Sequence, residues 1–106
     1  MGVNKAILLG NVGVDPRIDY PEKGSVFATF TLATNEHTAS GERTEWHRLV
    51  MSGRNAELAE KYIRKGTRLY VEGKIRTRQY TDKTGINRYV TEIYVDNFEL
   101  LGRVVP

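Results

Sequence analysis

The sequence predicts an all-β domain carrying one helix, and three observations carry that expectation. Ser25 to Thr34 alternates apolar and polar side chains with a period of two. Only Asn55 to Lys65 joins helical spacing to start and stop signals. Two long stretches, Thr67 to Tyr80 and Asn87 to Leu101, flank the turn Asp82-Lys83-Thr84-Gly85 and read as a projecting hairpin.

In chain order, Val3 to Gly10 is an apolar run of strand length, with Ile7, Leu8 and Leu9 at its centre. Asn11, Gly13, Asp15 and Pro16 then supply turn chemistry. Gly10-Asn11-Val12-Gly13 therefore reads as a turn, since it lacks the spacing and the following helix of a phosphate loop. Arg17 to Tyr20 continues as a short strand until Pro21-Glu22-Lys23-Gly24 breaks it. Within Ser25 to Thr34, Val26, Ala28, Phe30 and Leu32 share the core face, and Phe27, Thr29, Thr31 and Ala33 the wetter one. Asn35 to Arg43 is polar, holds Gly41 and reads as a mobile loop. Thr44 to Gly53 is the third strand, with Leu49 and Met51 marking its core side. In the helix, Asn55 suits the N-cap, Glu57 the first turn, Arg64 and Lys65 the last, and Gly66 the left-handed residue beyond it. Leu58, Ala59, Tyr62 and Ile63 form its apolar stripe. Three strands, a helix and two strands is the order of the OB-fold, a five-stranded Greek-key barrel with one α-helix between strands 3 and 4.

A chain of 106 residues has room for one core, so residues 1–106 are expected to form a single domain. The absence of cysteine excludes disulfides and thiolate metal sites and suits a reducing, cytoplasmic setting. No apolar run is long enough to cross a membrane, and Met1 to Lys5 opens no signal-peptide core. His37 falls in a polar stretch and His47 on the core-side parity, so neither builds a metal site. No nucleophile elbow, carboxylate pair or Ser/His/Asp set is visible, so neither an enzyme nor a cofactor is expected.

The chemistry lies in a strand. From Glu72 to Tyr80, Lys74, Arg76, Arg78 and Tyr80 fall on one face while Ile75 and Thr77 fall on the other. A row of cations ending in a ring is a poor core and a good track for a polynucleotide, because cations neutralise phosphates and rings stack on bases. Trp46 and Arg48 repeat the pairing one strand earlier. A Trp46 packed half-buried against the barrel is the competing reading; its shared parity with Arg48 favours stacking. For Tyr80 the competitor is a cross-strand aromatic pair. The other tyrosines, Tyr20 and Tyr94 among them, read as structural. Net charge is only +3, but between Lys74 and Arg88 the bases face Asp82 alone, which points to one cationic surface.

These stretches resemble the DNA-binding domain of the bacterial single-stranded DNA-binding protein (SSB) family. The match runs through Gly2-Val3-Asn4-Lys5, Gly10-Asn11-Val12-Gly13, Asp15-Pro16, Leu32-Ala33-Thr34 and Thr44-Glu45-Trp46-His47-Arg48. It continues through Tyr62-Ile63-Arg64-Lys65-Gly66, Val71 to Arg78 and Asn87-Arg88-Tyr89. The resemblance implies a homotetramer that wraps single-stranded DNA with little sequence preference and serves replication, recombination and repair, at the bacterial nucleoid. Carried over by position, it makes Trp46 and Tyr80 stacking residues. It places Arg48, Arg54, Lys74, Arg76, Arg78, Arg88 and Lys5 along the phosphate path. It puts His47, Tyr70 and Glu72 at a subunit contact. Thr38 and Ser52 stand where some relatives carry a tryptophan and a phenylalanine, so two platforms are lost, each worth about 1–3 kcal/mol. The family's acidic tail, which recruits replication and repair proteins, does not occur among these 106 residues, so those partners are expected only where a tail exists. The alternatives are an RNA-binding OB domain and a replication-restart accessory module on the same barrel.

Overall fold

Alternating side chains become a closed sheet. The structure, a computed structural model, describes residues 1–103; the last three residues of the expected domain lie outside these. The strands are β1 (Ala6–Val12), β2 (Arg17–Asp19), β3 (Phe27–Thr38) and β4 (Gly41–Ser52), then helix α1 (Arg54–Tyr62), β5 (Thr67–Thr81) and β6 (Asn87–Arg103). The sheet order is β1-β5-β6-β4-β3-β2, and a second pairing of β1 with β3 closes the barrel. β2 is a short extension beside β3, so five long strands form the wall and α1 falls between the third and fourth of them, as an OB-fold requires.

Closure depends on a close approach. β1 pairs with β5 from Ala6↔Gly73 to Asn11↔Arg68, and its end turns onto β3 at Asn11↔Ala33 and Val12↔Leu32. At this corner a Cβ on Gly10 would lie 2.1 Å from the carbonyl oxygen of Ala33, so only glycine fits. The barrel is filled by Leu32, Leu49, Met51, Leu69 and Val71, each essentially inaccessible, and plugged by Ala56, Ala59 and Ile63 of the helix segment. Burying a leucine or isoleucine side chain here stabilises by about 1.5–3 kcal/mol.

Several expectations are corrected. Asn11 and Val12 belong to β1 rather than to a turn, because two neighbouring strands take up their backbone groups. The predicted mobile loop Asn35 to Arg43 is a regular hairpin: β3 runs to Thr38, β4 starts at Gly41, and Ala39-Ser40 joins them. Its polar side chains bond to one another, as Thr44 Oγ1 does to Asn35 Oδ1 at 2.7 Å, so no apolar face marks it. Gly53, not Asn55, occupies the helix N-cap and offers no side-chain cap, while the Asn55 amide donates to the Asp96 carbonyl at 3.2 Å. The helix ends at Tyr62, before Arg64 and Lys65. Gly66 does take a positive φ of 89°, but its N–H bonds to the Val12 carbonyl at 2.8 Å, so it serves the crossing to β5 rather than the helix end. Tyr62 leaves the apolar stripe for solvent, and Ala56 joins it.

The long hairpin projects as expected: every residue from Lys74 to Thr81 is exposed. Its base is braced by Asn4, whose side chain donates to the Ile75 carbonyl at 2.8 Å and accepts from the Ile75 N–H at 2.9 Å. Its tip is organised by Asp82. Hydrogen bonds from the Thr84 hydroxyl, Arg88 and the Ile86 N–H lower its carboxyl to about 2, so the tip keeps this anchor until strongly acidic pH.

Candidate nucleic-acid interface

The outer face of the barrel is set by strand parity and register. β3 pairs with β4 so that Ala33 opposes Trp46, Thr31 opposes Arg48, Thr29 opposes Val50 and Phe27 opposes Ser52. β4 continues onto β6 at Val50↔Tyr94, and β6 onto β5 at Arg76↔Glu92, Arg78↔Val90 and Tyr80↔Arg88. Opposed residues share a face. One continuous surface therefore carries Trp46, Arg48, Arg76, Arg78, Tyr80 and Arg88.

Trp46 is 62% exposed. Its indole lies against Gly13, where an added Cβ would come within 2.5 Å of Cζ3. The glycine lets the ring lie down on main chain with much of its surface presented to solvent. Tyr80 is 43% exposed, with the Arg78 guanidinium 5.7 Å from its ring centroid.

Between the two rings stands Glu92. At 2% exposure it is the single buried charge among the described residues. Arg48 Nε donates to its Oε2 at 2.7 Å, and Arg78 Nε donates to its Oε1 at 2.9 Å. Burial pushes this carboxyl up, but the two guanidiniums together hold it below the ordinary carboxylate value. Both arginines engage it through Nε, and their side chains are half-exposed, so each guanidinium keeps donors to offer. Two positive charges against one negative leave the centre of the face cationic, with both guanidiniums oriented in advance. Arg76 has no carboxylate partner among the described residues and instead lies 5.0 Å over the Tyr94 ring. Shallow depressions follow this line. One of about 210 Å³ is lined by Arg48, Arg78, Tyr80 and Val90. Another, of about 260 Å³, takes in Arg17, Phe27, Thr29, Glu92 and Tyr94.

The profile of the Single-strand binding protein family matches residues 3–101. The chain belongs to that family. A single-stranded DNA-binding protein of Bacteroides thetaiotaomicron is 56% identical over 109 residues, spanning 96% of this chain and 68% of that protein. A solved structure of the Plasmodium falciparum SSB in complex with ssDNA superposes with a TM-score of 0.84 at 36% identity, over 96% of each chain.

Not every residue expected of an SSB family site comes to this face. Lys74 does come to it, opposite Tyr94 in register and in line with Arg76 and Arg78, with its ammonium 3.7 Å from Asp96. Arg54 opens α1 and pairs with Glu57 at 3.7 Å, outside the groove lining. Lys5 turns to Glu72 at 3.3 Å, on the β1–β5 side. The expected separation of bases from acids also fails: Glu92, Asp96 and Asp82 interleave with the basic row. Glu92, Phe27 and Tyr94 also line this face, although Tyr94 reads from the sequence as structural and Glu92 as nothing in particular. Phe27 was visible as a ring among threonines on a wet face. Glu92 gives no signal within its own strand, because Arg48 lies 44 positions away.

A second surface gathers Tyr70 and Glu72, whose side chains hydrogen-bond, with Ile7 and Leu9 opposite them in register. Ile7 is 59% and Leu9 48% exposed, an apolar pair missed among the interface candidates. His47 faces the other way, its Nε2 2.8 Å from Thr34 Oγ1. Among the described residues no His/Asp/Glu group could hold a metal, and no helix is long and apolar enough to cross a membrane.

Proposed function

We propose that the Trp46–Tyr80 face is where this chain binds single-stranded DNA. Bases stack on Trp46 and Tyr80 while Arg48, Arg76, Arg78 and Arg88 take the phosphates between them. The observation that carries this reading is the Glu92 clamp, which holds two guanidiniums ready between two exposed rings. Every base has a π-face, so binding tolerates sequence, and a duplex hides those faces. The protein works by binding, not by turnover, in replication, recombination and repair, in the bacterial cytoplasm at the nucleoid. The exposed Ile7–Leu9–Tyr70 surface would seat a second copy, in keeping with a homotetramer.

Titrating Trp46 fluorescence with oligo-dT at several salt concentrations tests the reading. Quenching is expected, with a log–log salt slope of about −0.7 per neutralised phosphate, and duplex DNA of equal length should bind far more weakly. Equal affinity for duplex and single strand would overturn it, and a preference for the matching RNA would favour an RNA-binding domain. Gly13→Ala gives a finer test. The new Cβ, 2.5 Å from Cζ3, must push the indole off its seat. Oligo-dT affinity is expected to fall about fivefold or more, with a shifted tryptophan emission and an intact fold. Unchanged emission and affinity would show that the ring's seat on Gly13 is immaterial.

A further inference from the structure

We infer that Phe27, with Tyr20 and Pro21, forms an additional nucleobase subsite at the β2 end of the groove. The inference rests on the single-stranded DNA reading above and extends its path. Phe27 stands on the outer face of β3, where the parity-related residues are Thr29 and Thr31. It is half-buried there, outside the barrel core. A lone half-buried ring would need no explanation, but Phe27 shares one depression with Tyr20 and Pro21, and three flat apolar groups around a hollow make a seat for a ligand. The register neighbour of Phe27 on β4 is Ser52, too small to cover it, and on β2 it is Asp19. Beside it opens a depression of about 680 Å³, lined by Asp19, Tyr20, Pro21, Phe27 and Arg78. Tyr20 is 62% exposed yet not loose, because its hydroxyl donates to Glu60 Oε1 on α1 at 2.6 Å.

The chemistry of this lining suits a base and not a phosphate. Two rings and a proline supply flat apolar faces. The nearby carboxylate of Asp19, 3.4 Å from Arg17, would repel a phosphate but can accept a hydrogen bond from a base edge. The phosphate has its own place: Arg78 lines this depression and also the one beside Tyr80, so one guanidinium stands between two ring sites. A strand laid from Tyr80 over Arg78 would deliver its next bases to Phe27.

The test combines photocrosslinking with a length series. Oligo-dT carrying 5-iodouracil is irradiated with the unmodified protein and the adducts are mapped by mass spectrometry. Adducts on Phe27 or Tyr20, besides those on Trp46 and Tyr80, are expected. Phe27→Leu keeps aliphatic bulk and should melt like the parent. It is expected to bind the shortest oligomers normally and to lose roughly five- to tenfold in affinity for those long enough to reach β2. If adducts form only at Trp46 and Tyr80, and Phe27→Leu matches the parent at every length, the subsite is overturned while the main groove stands. If the parent protein neither crosslinks nor binds oligo-dT, both readings fall together.

Discussion

Replacing Trp46 by alanine is expected to weaken oligo-dT binding by roughly one to two orders of magnitude, since stacking contributes about 1–3 kcal/mol per base. The melting temperature should scarcely move. The indole is 62% exposed and takes no part in the core, so its loss opens no cavity. It sits at one end of the cationic face, with Gly13 behind it and solvent in front. Anisotropy of a fluorescein-labelled oligomer measures the affinity, and circular dichroism measures the melting. An unchanged dissociation constant would take Trp46 out of the site. A lower affinity accompanied by a large drop in melting temperature would instead mark the ring as structural.

Glu92→Gln is expected to produce the second large effect, on stability and binding together. Leaving one side of a buried ion pair unmatched costs roughly 3–5 kcal/mol when both partners are dry; here the arginines stand half in water, so about 1–3 kcal/mol is expected. The carboxyl lies below its ordinary value of 4.5 in the folded protein, so its contribution is fully present above that pH and fades as acid titrates it. The parent should therefore exceed the variant in stability at pH 7, with the gap narrowing as the pH falls below 4.5. The variant should also bind single strands with a steeper salt dependence, by roughly 0.7 in the log–log slope, because one more cation then awaits a phosphate. Equal melting at pH 7 and equal slopes would show that the clamp neither stabilises the barrel nor sets the charge of the groove.

What could be read beforehand follows from where faces are buried. Val26, Ala28, Phe30 and Leu32 had to face a core, and their alternation placed β3 and, with the other strands and the helix, the OB order. The same signal is silent where neither face is buried, and so the hairpin through Asn35 and Arg43 passed for a loop. The cations and Trp46 were legible because parity acts within one strand. The Glu92 clamp was not, because it arises from parallel contact between β4 and β6 at Leu49↔Ile93, which no local pattern announces. Strand parity says nothing of Lys5 and Arg54, which lie outside β4 and β5 and pair with Glu72 and Glu57.

The seam that shuts the barrel also orders events at the ribosome. β1 emerges first, yet it meets β3 at only two positions, and its long partner begins at Thr67. A nascent chain thus carries Ile7, Leu8 and Leu9 as an unmated edge until β5 has been made, the kind of exposed apolar strand that invites capture by another chain.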